Sequence, residues 1–263
     1  MDRPWVMGII NLTPDSFYAG SRISGEAELL RQAAHMIAEG ADILDLGAQS
    51  TRPGAQILGA EEEIQRLDGA IDNIHRHFPD CCLSIDTFYA RVAREAVQAG
   101  ASMVNDTSAG SIDPGMMAAV AVLQVPYVCM HSLGLPLRMN EKPQYEQVTQ
   151  TVLDFFIQKK EACRQAGIHD LILDPGFGFG KTTRHNFEIL KQLPVFRILD
   201  CPILVGLSRK SSIYKMLGVT VDQALNGTTV LNTVALLNGA NLLRVHDVRQ
   251  AREAITLVQA LND

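Results

Sequence analysis

Asp86, Asn105, Asp174, Arg244 and His246 differ in chemistry but share one position: each lies at or just past the C-terminal end of a short apolar run. Asn11, Thr51 with Arg52, His131, and Ser208 with Lys210 are placed in the same way. Asp86, Asn105 and Asp174 form a set of two carboxylates and one amide. Such a set suits a flat heterocycle with adjacent N–H donors, because a carboxylate can accept two parallel hydrogen bonds. Arg244 and His246 stand at i and i+2, on one face of an extended segment. Together with the basic stretch Leu207–Ser212 they suit an anion such as a phosphate. Thr51, Arg52 and Pro53 add a hydroxyl, a guanidinium and a rigid turn, a second candidate phosphate clamp.

Elements of one kind must position these groups. The apolar runs are Val6–Ile10, Ile43–Leu46, Leu83–Ile85, Met103–Val104, Tyr127–Cys129, Leu171–Leu173, Ile203–Val205 and Leu242–Arg244. They are nearly continuous in Ile, Leu and Val, as parallel strands buried on both faces should be. Amphipathic stretches separate them. Ile64, Leu67, Ile71 and Ile74 recur with helical spacing, as do Val148, Val152, Phe155 and Phe156, and Ile255, Val258 and Leu261. Gly40, Gly100 and Gly239 each sit where a helix must end in a left-handed residue before the next strand. Strand then helix, eight times, predicts a single-domain α/β protein over residues 1–263. It is a (β/α)8 barrel with its active site at the C-terminal ends of the strands. The stretches Leu12–Gly25, Gln49–Gly59 and Ser132–Pro143 read as irregular loops on that face.

Composition narrows the function. The chain has 263 residues, 47% hydrophobic and 20% charged, with a net charge of −6. An acidic chain without a basic stripe argues against a nucleic-acid partner. No apolar run reaches the length of a membrane span, so no membrane partner is expected. Five cysteines, an odd number without a C-x-x-C pair, predict free thiols and a cytoplasmic setting. No His, Cys and Asp set has zinc spacing. His35, His75, His77, His169 and His185 read as surface residues. The Gly-rich run Asp174–Thr183 is not a Walker A loop, since only three residues separate Gly176 from Gly180 and position 175 is proline. It reads instead as a loop that lets a flat ligand approach the backbone, with Asp174 at its base.

Seven segments, in order along nearly the whole chain, resemble those of the dihydropteroate synthases. They are Met7–Phe17, Asp42–Ala55, Ser84–Thr87, Gly100–Asp106, Leu173–Thr182, Gly206–Ser211 and Arg244–Val248. The resemblance implies a homodimeric (β/α)8 transferase that uses Mg2+. Its small-molecule substrates are 6-hydroxymethyl-7,8-dihydropterin pyrophosphate and p-aminobenzoate, and its products 7,8-dihydropteroate and pyrophosphate. It assigns Asp86, Asn105, Asp174 and Lys210 to the pterin ring, and Arg244 to stacking on that ring while facing the pyrophosphate. His246 and Asn11 are similar to pyrophosphate contacts, Asn11 also reaching Mg2+. Thr51 and Arg52 match the mobile clamp. Pro53, Phe179 and Ser211 match the aminobenzoate pocket, with Phe17 near it. Arg52, Asp86, Lys210 and Arg244 are the residues implied to act in catalysis. Gln49 departs from the pattern, where many members carry glutamate. So do Tyr18-Ala19 and Ser132-Leu133. A barrel that binds methyltetrahydrofolate for corrinoid-dependent methyl transfer would share the pterin pocket, but would not need the Thr51–Pro53 loop or the Ser208–Ser211 run. A non-catalytic pterin-binding paralogue is the alternative of another class, and the intact Arg52, Lys210 and Arg244 speak against it.

Overall fold

The computed structural model describes residues 3–12, 22–49, 57–133 and 144–261. Eight parallel strands form one sheet: β1 (Trp5–Asn11), β2 (Ile43–Gly47), β3 (Cys82–Asp86), β4 (Met103–Asp106), β5 (Tyr127–Met130), β6 (Leu171–Asp174), β7 (Leu204–Val205) and β8 (Leu242–Val245). Their order is β6-β5-β4-β3-β2-β1-β8-β7, and a parallel bridge from Leu173 to Ile203 joins the two ends. The sheet is therefore a barrel, with helices around it. All eight apolar runs became strands.

Alternation along the strands separates two kinds of surface. Met7, Ile43, Met103, Val128, Ile172, Leu204 and Leu242 cluster together and fill the lower interior of the barrel. Their neighbours in sequence, such as Val6, Leu44, Val104, Cys129, Leu173 and Leu243, belong to the larger core between sheet and helices. Moving two residues along β2, β4, β6 and β8 from the apolar interior layer reaches Asp45, Asn105, Asp174 and Arg244. The layer above the hydrophobic plug is thus polar on these four strands, and it lies at the C-terminal mouth.

The helices are α1 (Arg22–Ala38), α2 (Ala60–Leu67), α3 (Ala70–His77), α4 (Ala90–Gln98), α5 (Met116–Leu123), α6 (Val148–Ala166), α7 (Thr183–Lys191), α8 (Ser211–Leu217), α9 (Leu225–Leu237) and α10 (Val248–Ala260). In α6, Val148, Val152, Phe156 and Cys163 are buried, so one stripe packs inward. The expected C-cap glycines hold: Gly40, Gly100 and Gly239 have φ of 98°, 115° and 97°.

Three expectations need correction. The repeat Ile64–Ile74 spans two helices, because Asp68 ends α2 and Gly69 turns left-handed at φ 72° before α3 begins. The helical spacing survives because Leu67, Ile71 and Ile74 still face the core. The first long loop is shorter than expected, since α1 starts at Arg22 rather than after Gly25. Leu261 lies beyond α10 and is exposed, while Ile255 and Val258 are buried as expected.

Candidate active site

The ends of β2, β3, β4 and β8 converge on one guanidinium. Arg244 Nε donates to Asp45 Oδ2 at 2.6 Å, and Arg244 Nη2 donates to Asp86 Oδ2 at 2.7 Å. Asn105 Nδ2 donates to the same Asp45 oxygen at 3.0 Å. Gly47, opposite Asp86 in the strand register, leaves room for this cluster, since a Cβ there would lie 3.3 Å from the Cβ of Asp86. Asp45 is fully buried. Its Oδ1 and the Oδ1 of Asn105 have no hydrogen-bond partner among the described residues. Two acceptor oxygens are therefore poised in the polar layer without a protein donor, a costly arrangement unless a ligand supplies one.

Burial makes these charges respond strongly to one another. It pushes the Asp86 carboxyl up to about 7, against the pull of Arg244 and with Asp45 and Glu63 adding to the rise. Burial also disfavours the charge on Arg244, but Asp45 and Asp86 hold its guanidinium protonated. Asp174 rises through burial, opposed by Lys210 and by the Gly176 N–H, which donates to Asp174 Oδ1 at 2.7 Å.

The Gly-rich turn after β6 carries the second half of the site. Gly176, Gly178 and Gly180 have φ of 69°, 83° and 60°. At Gly176 a Cβ would sit 2.0 Å from the His131 carbonyl oxygen, so no side chain fits there. Lys210, from the loop before α8, donates to Phe177 O, and its Nζ lies 4.5 Å from the centre of the Phe179 ring. Burial pushes Lys210 down to about 8, with Asp174 resisting and Arg244 reinforcing the shift. Ser211 is exposed at the first turn of α8. Ser208 Oγ lies 3.0 Å from His246 Nδ1. Burial, and next Arg244, push His246 down to about 4, so its imidazole is neutral at pH 7. The positive charge at this end of the mouth accordingly rests on Arg244 and Lys210.

The structure thus gathers Asp86, Asn105, Asp174, Phe179, Lys210, Ser211, Arg244 and His246 on the C-terminal face. Asn11 is exposed at the end of β1, on the same face. Phe17, Thr51, Arg52 and Pro53 lie outside the described residues, as do Tyr18 and Ala19. Among the described residues no group of three His, Cys, Asp or Glu side chains could hold a metal ion. The amide oxygen of Asn11 is a hard donor of the type Mg2+ accepts, and Mg2+ commonly takes one or two protein oxygens and completes its shell with phosphates and water.

Two participants escaped the sequence reading. Asp45 lies inside an apolar run, and its signal is a lone carboxylate in a strand buried on both faces. Lys181 is buried, donates to three carbonyls around the Gly-rich turn and lies within hydrogen-bond distance of His131 Nδ1. Asp106, also at a strand end, is structural: it accepts from Ser108 N and Oγ, Gly110 N and Tyr127 Oη, each at 2.7 Å. The Gln49 departure has a local partner set. Its amide donates to Glu63 Oε2 at 2.6 Å and to Leu58 O at 3.2 Å, and it accepts from Leu58 N at 3.1 Å. His185, expected at the surface, is half-buried and closes a capping box with Thr182 at the start of α7.

A polar layer of this kind, at the mouth of a (β/α)8 barrel, defines a pterin-binding enzyme, and the family model described as "Pterin binding enzyme" matches residues 7–246. Dihydropteroate synthase from Escherichia coli K12 is 40% identical over 262 residues, covering 99% of this chain and 92% of the relative. A structure of the Xanthomonas albilineans dihydropteroate synthase with 4-aminobenzoic acid superposes with a TM-score of 0.92 at 42% identity, covering 99% of this chain and 94% of that one. The same enzyme in complex with 7,8-dihydropteroate gives 0.89 at 39% identity, with the same coverage. The chain belongs to the dihydropteroate synthase family.

Proposed function

We propose that the barrel mouth joins 6-hydroxymethyl-7,8-dihydropterin pyrophosphate to p-aminobenzoate, giving 7,8-dihydropteroate and pyrophosphate. The observation that carries this reading is Arg244, fixed between Asp45 and Asp86 beside two buried acceptor oxygens, Asp45 Oδ1 and Asn105 Oδ1, that have no protein donor among the described residues. The 4-aminobenzoic acid and 7,8-dihydropteroate held by the Xanthomonas albilineans relative support the same pair of ligands.

In this reading Asp174 and Asn105 hold the amino-pyrimidine edge of the pterin, and the unpartnered oxygens of Asp45 and Asn105 take further ring donors. Lys210 donates to the ring. Arg244 stacks on it and turns its charge toward the leaving group. The C–O bond breaks with its electron pair leaving on pyrophosphate. The arylamine lone pair forms the new C–N bond, and the amine then loses a proton to solvent. An electron-rich ring stabilises positive charge on the exocyclic methylene, so the protein's main task is to neutralise the departing anion. Arg244 and Arg52 do so by charge, with Thr51 as a hydroxyl donor. His246 acts as a neutral N–H donor. Bound Mg2+, with Asn11 as a ligand, would neutralise further phosphate charge. Phe179, Pro53, Ser211 and Phe17 enclose the aminobenzoate.

Release of pyrophosphate should require both substrates and should rise with Mg2+. Pterin binding without any pyrophosphate release in the presence of p-aminobenzoate and Mg2+ would overturn the reading and leave a pterin-binding protein.

The reading includes a homodimer formed through α8 and α9. Met216 and Leu217 on α8, with Val230 and Leu237 seven apart on α9, are all more than half exposed. Gly227 lets the two helices pack closely, since a Cβ there would lie 2.5 Å from Ile213. The apolar surface is thus shared by adjacent helices, as a self-complementary contact needs. The setting we assign is the cytoplasm. All five cysteines are free thiols, and among the described residues no helix is long and apolar enough to cross a membrane.

A further inference from the structure

Lys181 takes no part in the reaction just described, yet its ammonium is among the most deeply buried charges near the site. It donates to Gly176 O at 3.0 Å and to His131 O and Phe179 O at 3.1 Å each, and its Nζ lies 2.9 Å from His131 Nδ1. An ammonium has three N–H groups, so four acceptors share three protons. Burial pushes Lys181 down to about 7, and in its ammonium form His131 Nδ1 is the acceptor, with the imidazole proton on Nε2. No carboxylate is hydrogen-bonded to Lys181 among the described residues. Burying that cation costs several kcal/mol, a cost that Asp174 offsets only at a distance. Without the ammonium the His131 and Phe179 carbonyls would lose the one donor they have among the described residues, while Gly176 O keeps Phe179 N–H.

What this arrangement achieves is geometric. The carbonyls of Gly176 and Phe179, from the two ends of one turn, and that of His131, from the end of β5, are drawn to one point. Lys210 grips the same turn from another side through Phe177 O. Tyr145 Oη donates to Gly180 O at 3.1 Å and holds its last residue. Gly180 is pressed against Leu133, where a Cβ would lie 2.7 Å from the Cβ of Leu133. The one aromatic ring this turn leaves half-exposed toward Lys210 is Phe179. We infer that Lys181 is a positioning residue. By fixing the Phe179 carbonyl to the end of β5, it sets the Phe179 ring as a wall of the p-aminobenzoate pocket. The inference rests on the reading of Phe179 as part of that pocket.

A mutant cycle tests it. Lys181→Met keeps the apolar stem and removes the donors. It should raise KM for p-aminobenzoate by about tenfold, the effect expected of leaving buried acceptors unpaired. KM for the pterin pyrophosphate should change much less. Phe179→Ala should also raise KM for p-aminobenzoate, and the double variant should be no worse than Phe179→Ala alone, because both changes remove the same wall. If Lys181→Met does not fold, Lys181→Gln, which retains two N–H donors, enters the same cycle. Equal rises in both KM values, a fall in kcat with neither KM changed, or additive effects in the double variant would overturn the inference. A normal p-aminobenzoate KM in Phe179→Ala would remove the pocket reading and the inference with it. An impaired Phe179→Ala beside an unimpaired Lys181 variant would remove the inference alone.

Discussion

Asp174 has one oxygen committed to Gly176 N–H, which orients the carboxylate and reserves its other oxygen for a ligand. Asp174→Asn preserves shape but sets an amide N–H against a ring donor. A hydrogen bond to a charged group is worth about 1.5–3 kcal/mol, so pterin affinity should fall about tenfold or more. Calorimetry that finds it unchanged would remove Asp174 from the pocket. Lys210 gives a pH prediction. Its ammonium is pushed down to about 8 by burial, so it is protonated below that value and neutral above it. If the charged form serves the reaction, kcat/KM should fall above pH 8, by about tenfold per pH unit. Lys210→Arg, charged throughout the range, should abolish that alkaline limb even if its absolute rate is lower. A limb that persists in Lys210→Arg belongs to another group. Asp86, Asn105 and Asp174 were legible in the sequence because each terminates its apolar run. Asp45 was not, because it lies within a run and is recruited through residues distant in sequence, Asn105 and Arg244, the latter 199 positions away. Lys181 was hidden for another reason: three of its four partners are carbonyls, and where the carbonyls of the turn point depends on the positive φ of three glycines.

At the scale of elements, strand positions could be read from continuous apolarity, and three helix ends from their glycines. The break between α2 and α3 could not, because Leu67, Ile71 and Ile74 keep helical spacing across it. The segment from β2 to α2 also holds a testable joint. Gln49 ties β2 to Leu58 and to Glu63 of α2, and Glu63 is fully buried. Burial raises the Glu63 pKa, with Thr87 and Gln49 opposing. Gln49→Glu would replace that opposing donor with a second carboxyl, and two adjacent carboxylates share one proton. The folded variant then holds a proton that the unfolded chain releases near 4.5. Its added stability is therefore present at low pH and lost as pH rises through the pair's folded pKa. Relative to the parent, Gln49→Glu should be close in stability near pH 5 and weaker by about 1–3 kcal/mol at pH 8. Urea denaturation at the two pH values measures this, and a pH-independent difference would show that the two side chains do not share a proton.

At the scale of the molecule, the eightfold repeat sufficed to predict the barrel, because strand and helix had to alternate and each strand had to be buried on both faces. The apolar surface proposed for self-association was not legible, since exposure of Val230 or Leu237 depends on how α9 lies on α8. If the proposed α8–α9 contact forms the dimer, the parent should have twice the chain mass by light scattering and Val230→Glu about half the parent mass, as loss of a two-fold contact requires. An unchanged mass would place the interface elsewhere. The arginine that neutralises the mouth also has a temporal consequence. Asp45 and Asp86 leave the ribosome long before Arg244, and at roughly 5–20 residues per second the interval from Asp45 is about ten to forty seconds. During that time the nascent chain carries two interior carboxylates without their cation, and the first strand waits for the last to pair with it. Closure of the ring and neutralisation of its centre are therefore one late event, so a chain stalled before its final strand would lack both a sealed barrel and an assembled site.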